Sequence, residues 1–176
     1  MIRDFETWRP QLADSAWVDA TALVIGAVEL DEDVSVWPMT VVRGDVNWIR
    51  VGARTNLQDG SVIHVAHAGG MNPDGFPTVI GADVTIGHKA IVHACTIGDA
   101  CLVGMAATVM DGAVVGDEAM IGAGALVPPG RELEGGYLYL GSPAKAARAL
   151  TDEERAFLRY SARHYVALKD RHRGGG

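Results

Sequence analysis

An aliphatic residue returns at every sixth position along most of this chain. The series opens with Val18, Val24, Leu30, Val36 and Val42 and resumes at Val51, Leu57 and Ile63. It returns at Ile80, Ile86 and Val92, then runs through Ile97, Val103, Val109, Val115, Ile121 and Val127. One step, Val92 to Ile97, is a residue short, and one long gap separates Ile63 from Ile80. A hexad beat of this length predicts an all-β fold, a left-handed parallel β-helix of hexapeptide repeats. Each triangular coil takes about three hexads and stacks aliphatic side chains up its inside.

The departures from the beat mark the other elements. AHAGGMNPDGFPT, from Ala66 to Thr78, is rich in Gly and Pro and reads as a loop leaving a corner. A loop that long in a compact fold is usually functional or disordered. The short excess between Val42 and Val51 reads as a smaller excursion carrying Asn47 and Trp48. Residues 1–17 read as an irregular lead-in anchored by Trp8 and Trp17, and Pro128-Pro129-Gly130 as the end of the coil. Thr151-Asp152-Glu153-Glu154 opens a helix, with Thr151 as N-cap and Glu154 at the capping-box position. Ala156, Phe157, Tyr160, His164 and Leu168 space out one face of it. Basic residues crowd its last turns, and Gly174 to Gly176 finish it. The expected organisation is a β-helix with lead-in and connector over 1–150 and a C-terminal α-helix over 151–173. That helix should pack along the coil, because a lone amphipathic helix is marginal.

Composition narrows the function. The 176 residues suffice for one domain with a real core. They are 48% hydrophobic but only 6% aromatic, as a narrow coil interior demands, and the 22 glycines are expected at corners. A net charge of −7 argues against nucleic acid or an anionic membrane as partner. No apolar run would span a bilayer, and MIRDFETWRP lacks the apolar core of a signal peptide. Cys95 and Cys101 read as two buried thiols in a reducing compartment, so a cytoplasmic location is expected.

The candidate chemistry lies in three of the six histidines. Grouping the hexads in threes puts Val36, Val42 and Val51 on one coil. Leu57, Ile63 and Ile80 make the next, and Ile86, Val92 and Ile97 the one after. One residue past each second-face aliphatic come Arg43, His64 and His93, a column with rungs about 4.8 Å apart. Two imidazoles at that spacing can share one tetrahedral metal. His88 lies five residues before His93 with a corner between, on the order of 15 Å along the strand. A neighbouring copy of the chain can present its own His88 to this pair, and three-fold symmetry would close such an assembly as a homotrimer. Three His ligands leave one position open, the pattern of catalytic zinc, although imidazole suits iron and cobalt as well. Ordinary surface histidines are the plainer alternative.

Polar residues surround the column. Arg43 and Asp45 could pair across a subunit interface. Gln58, one coil beyond Trp37 in its column, could orient a bound water. Asn56, Asp59 and Gly60 taken singly read as turn chemistry.

The stretches VVRGD, NLQDGSVIHV, TIGHKAIVHACTIGD, LVGMAATVMDGAVVGD, YLYLGSPAK and LRYSARHYVALKD closely resemble the γ-class carbonic anhydrases and their bacterial relatives. The resemblance covers nearly the whole chain, and IGHKAIVH with an upstream IH is its specific part. It implies a zinc-dependent enzyme hydrating carbon dioxide to bicarbonate, with His64, His88 and His93 as metal ligands at trimer interfaces. It also implies Arg43 and Asp45 as the interface pair, Gln58 beside the bound water or hydroxide, Asn56 and Asp59 as its supports, and Tyr160 at the pocket. Two departures stand out. Val46 follows Arg43-Gly44-Asp45 where the active prototype carries a glutamate, and the Ala66–Thr78 loop holds no glutamate to shuttle protons. His67 or Asp74 could substitute. The competing readings are a hexapeptide acyltransferase or acyl-CoA thioesterase, weakly favoured by GSPAK (Gly141 to Lys145), and a non-catalytic metal-binding trimer.

Overall fold

The computed structural model describes residues 1–69 and 72–174. Gly175 and Gly176, expected to end the helix, and Gly70 and Met71 within the long loop lie outside the described residues.

The hexads form short parallel strands that coil around three faces. On the first face Val42 pairs with Ile63, Ile63 with Val92, Val92 with Val109, and Val109 with Val127. On the second, Val51 leads to Ile80, Ile97, Val115 and Leu133. On the third, Val18 leads to Val36, Leu57, Ile86, Val103, Ile121 and Tyr139. These are the coils that the six-residue beat predicts. Their aliphatic side chains are almost wholly buried and form one continuous core. Burial of that column supplies the main drive for folding.

Three local expectations are corrected. The segment after Val42 is one continuous strand, Val41–Val51, which rounds a corner between two faces. The extra residues are absorbed by a register shift against Leu23–Leu30, between Gly26 and Val28. A Cβ on Gly44 would meet the Ala27 carbonyl at 2.5 Å, so only glycine fits there. The lead-in is partly regular, since Ile2–Arg3 and Gln11–Leu12 pair in parallel with Leu23–Leu30. The coil also continues past Pro128-Pro129-Gly130, because Glu132–Leu133 and Tyr137–Leu140 extend the ladders. Corners are less glycine-dependent than composition suggests: Lys89 and Ala94, beside the histidines, take φ of 59° and 52° themselves.

The terminal helix spans Asp152–Gly174. Its capping box forms, with Glu154 N donating to Thr151 Oγ1 at 3.3 Å and Thr151 N to the Glu154 carboxylate at 2.9 Å. The inward face is not the expected stripe. Leu158, Ser161, Ala162 and Lys169 are buried, whereas Phe157 and Tyr160 are exposed. Polar anchors on the inner face escape a hydrophobic count. Ser161 hydrogen-bonds Thr85 at 2.8 Å, and Lys169 Nζ reaches Asp33 at 2.9 Å and the Ser15 carbonyl at 3.1 Å. Trp17 packs against Trp37 at a centroid distance of 5.0 Å, as an anchor should, while Trp8 is partly exposed. Among the described residues no helix is long and apolar enough to cross a membrane.

Candidate metal centre

Strand alternation turns the residue after each inward aliphatic outward. Arg43, His64 and His93 follow Val42, Ile63 and Val92, and pairing sets them on successive rungs of the first face. His64 Nδ1 and His93 Nε2 approach to 3.2 Å. Two donors about 2.1 Å from a tetrahedral ion stand roughly 3.4 Å apart, so the pair fits one metal.

The second nitrogen of each ring holds a carboxylate. His64 Nε2 bonds Asp45 Oδ1 at 3.0 Å, and His93 Nδ1 bonds Asp111 Oδ1 at 2.6 Å. An imidazole that donates one N–H to a carboxylate keeps the opposite nitrogen as a lone pair. Both lone pairs therefore face one point, where only a proton or a cation relieves their repulsion. Burial pushes the His64 pKa down, against the pull of Asp45, and favours the neutral ring that a metal requires. Burial acts to raise the Asp45 pKa, but hydrogen bonds from His64 and Arg43 prevail and hold it below the usual carboxylate range. Thr78, at the exit of the long loop, donates to the His64 carbonyl at 2.5 Å and accepts from Ala94 N at 2.9 Å. It ties the backbones of both histidine strands together.

His88 is set apart from this pair. It follows Ile86 and Gly87 at the end of a third-face strand, and its Nδ1 pairs with Asp59 Oδ2 at 2.9 Å. Its Nε2 is thereby left as the lone-pair nitrogen. Among the described residues of one chain, no three His, Cys, Asp or Glu side chains converge on a common metal position.

The remaining candidates divide. Gln58 is 6% exposed, and its Nε2 donates to Asn56 Oδ1 at 3.1 Å. Asn56 Nδ2 donates to Thr85 Oγ1 at 3.0 Å, and Thr85 meets Ser161 of the terminal helix. Asn56 thus supports Gln58, while Asp59 supports His88. Arg43 Nη1 donates to Asp45 Oδ2 within the chain. Tyr160, expected at the pocket, is 56% exposed and stacks on His164 at 5.8 Å. Tyr165 lines a cleft together with Gln58 and His88. Val46, His67 and Asp74 are exposed on or beside the long loop. Asp111, Thr78, Thr85 and Ser161 escaped the sequence reading. Asp111 sits in a Met-Asp-Gly corner that reads as turn chemistry, and the hydroxyls act through partners 14 to 76 residues away.

Comparison with known proteins bears on the family and the fold. The bacterial transferase hexapeptide model, six repeats, matches residues 94–129. The chain is 52% identical over 97% of its length to Protein YrdA of Escherichia coli, covering 92% of that protein. It is 44% identical to the mitochondrial gamma carbonic anhydrase 1 of Arabidopsis thaliana, over 93% of this chain and 59% of that one. The crystal structure of a hexapeptide transferase family protein from Anaplasma phagocytophilum superposes with a TM-score of 0.87 at 41% identity, covering 95% of each chain. The fold is therefore the left-handed β-helix of hexapeptide-repeat proteins. Within that class, the chain belongs to the γ-class carbonic anhydrase family, since it is also 37% identical to the carbonic anhydrase of Geobacillus kaustophilus over 94% of this chain and 87% of that one.

Proposed function

We propose that this chain forms a metal-dependent carbonic anhydrase-like enzyme, a homotrimer with its metal sites between subunits. The observation that carries this reading is the 3.2 Å approach of His64 Nδ1 and His93 Nε2, each ring backed by its own carboxylate. His64 and His93 of one subunit and His88 of the next hold the metal, with zinc the first candidate and iron or cobalt alternatives. A divalent metal bound there supplies Lewis acidity that makes water a nucleophile at neutral pH.

The chain's own residues set the rest of the reaction. Gln58 and His88 share the third face and reach the site from the same subunit. Gln58 accepts a hydrogen bond from the attacking oxygen, and Arg43 neutralises developing bicarbonate charge from beside His64. Asn56 keeps Gln58 in one orientation, and Asp59 does the same for His88. The long loop brings no glutamate, so proton export falls to His67, Asp74 or a diffusible buffer.

An acyltransferase or thioesterase of the same fold is the rival, since the Anaplasma protein carries the transferase family name. Acyl transfer in this fold needs one general base, which leaves a carboxylate-backed histidine pair without a purpose. Metal content of anaerobically and aerobically purified protein, with a carbon dioxide hydration assay on each, tests the reading. Metal-free protein with no hydration under either condition would overturn it. Bound metal without hydration would leave the non-catalytic trimer.

A further inference from the structure

The hexad series has one five-residue step, Val92 to Ile97, and it lies directly after His93. Val92 pairs with Val109 and Ile97 with Val115, so the corner after His93 is one residue shorter than the corner stacked on it. The longer corner carries its surplus through Met110, Asp111 and Gly112. Its backbone is tied down on both sides. Gly112 N donates to the Ala94 carbonyl at 2.7 Å, and Gly130 N donates to the Asp111 carbonyl at 2.8 Å. The Asp111 side chain is less constrained. Among the described residues its carboxylate has one hydrogen-bond partner, His93 Nδ1, and the side chain is 33% exposed. A single polar contact at such exposure competes with water and holds a rotamer weakly.

Phe76 packs against this corner from the long loop. Its N–H donates to the Ala66 carbonyl at 3.1 Å, and its carbonyl accepts from Ala66 N at 2.9 Å. Asn47 Nδ2 reaches the same Ala66 carbonyl at 3.2 Å, which ties the base of the loop to Val41–Val51. Two residues after Phe76, Thr78 joins the His64 carbonyl to Ala94 N. With its backbone held on both sides, Phe76 brings the tip of its ring to Gly112. A Cβ at Gly112 would stand 3.2 Å from Cζ of that ring and 3.4 Å from Cε2. Gly112 takes a φ of 68°, and its bare α-carbon permits the close approach.

We infer that Phe76 is a positioning residue of the proposed metal centre: its ring holds the Asp111 corner so that the carboxylate stays on His93 Nδ1. The link rests on contacts within one chain, and only its effect on metal affinity rests on the metal-site reading. The loop that carries no glutamate thus has another task, which is to fix the aspartate that presets His93.

Two measurements test the inference in the full-length protein. The first uses chelated, metal-free protein and reads side-chain rotamers from three-bond NMR couplings. Asp111 should occupy one staggered well, as should Asp45. Phe76→Ala should average the Asp111 couplings and leave those of Asp45 unchanged. Phe76→Leu, which keeps an apolar cover, should restore the single Asp111 rotamer. The second is metal affinity by chelator competition. Phe76→Ala should weaken it about tenfold, the lower end of the range for lost support behind a ligand. Phe76→Leu should recover it. Because Phe76 acts through Asp111, adding Phe76→Ala to Asp111→Asn should cost nothing further. An Asp111 rotamer that is averaged in the unmodified protein, or that survives Phe76→Ala, would overturn the inference. Averaging of Asp45 together with Asp111 would also overturn it, since that is general loosening, and so would additive losses in the double variant. If Phe76→Ala does not fold, Phe76→Val decides by the same readouts. If no preparation binds metal, the rotamer comparison still decides, and the failure counts against the metal reading alone.

Discussion

Nδ1 of His64 faces Nε2 of His93 across 3.2 Å, and the far side of each ring is pinned by an aspartate, Asp45 for one and Asp111 for the other. The two aspartates occupy different corners of the coil, yet both fix which nitrogen remains a lone pair. The pair is thus preorganised by the chain itself, as the proposed shared metal site requires.

Asp111→Asn should weaken metal binding about 10- to 100-fold, the usual effect of losing an outer-shell carboxylate. The amide can still accept from His93 but holds the ring and its basicity less well. Competition with a chromogenic chelator measures this directly, and circular dichroism should show the fold unchanged. An unaltered metal affinity would remove Asp111 from the site.

Sites shared between subunits predict complementation. His88→Ala and His64→Ala homotrimers each lose one ligand at every site. A mixed trimer regains a complete site wherever an intact His88 meets an intact His64–His93 pair. Co-refolded mixtures should therefore hold metal that neither parent holds, read by metal analysis of heterotrimers of verified composition. Chelation should also lower the melting temperature of the unmodified protein, because metal bound only by the assembly stabilises it. Heterotrimers as empty as their parents would place all three ligands in one chain.

Much of this architecture was legible because the hexad beat is a strict one-dimensional signal. Val42, Ile63 and Val92 gave the coil register, and the register alone put His64 beside His93 and His88 on another face. The capping box of Thr151 and Glu154 was legible for the same reason, being local. What escaped depends on contacts distant in sequence. The helix turns Ser161 and Lys169 inward because Thr85 and Asp33 receive them, and apolar spacing pointed instead to Phe157 and Tyr160. The extra length before Val51 looked like a loop because a register shift beside Gly26 leaves no mark on periodicity.

Cys95 and Cys101 are 3% and 1% exposed, and burial pushes both thiols up to about 12. Thiolate is the nucleophile, so neither should react with iodoacetamide in the folded protein at mildly alkaline pH. Mass spectrometry should find no adduct before unfolding in urea and two after it. Rapid labelling of the native protein would show that the coil opens at these rungs.

The helix start should be acid-sensitive. The Glu154 carboxylate accepts from both Arg148 Nη atoms at 2.7 Å and from Thr151 N, which lowers its pKa from 4.5 to about 2. A depressed folded pKa contributes stability above the unfolded value and loses it as pH falls through the folded one. Glu154→Gln should therefore melt below the unmodified protein at neutral pH. The gap should close as pH falls from 4.5 toward about 2. A gap that persists at the acid end would show that the loss is steric and unrelated to charge.

The last prediction concerns the proton. The prototype's loop glutamate has no counterpart between Ala66 and Thr78, and Val46 stands exposed where a second glutamate would be. Proton release follows departure of bicarbonate, so slow release limits kcat and leaves kcat/KM untouched. Small diffusible buffers such as imidazole should accordingly raise kcat for carbon dioxide hydration and leave kcat/KM little changed. A glutamate introduced by Gly70→Glu or Met71→Glu should partly remove that buffer dependence. If hydration is fast and independent of buffer in the unmodified protein, a residue already present carries the proton, and His67→Ala should then create the dependence. If no buffer and no variant yields hydration, carbon dioxide is the wrong substrate, and a metal held by His64, His88 and His93 would serve either another reaction or a non-catalytic trimer.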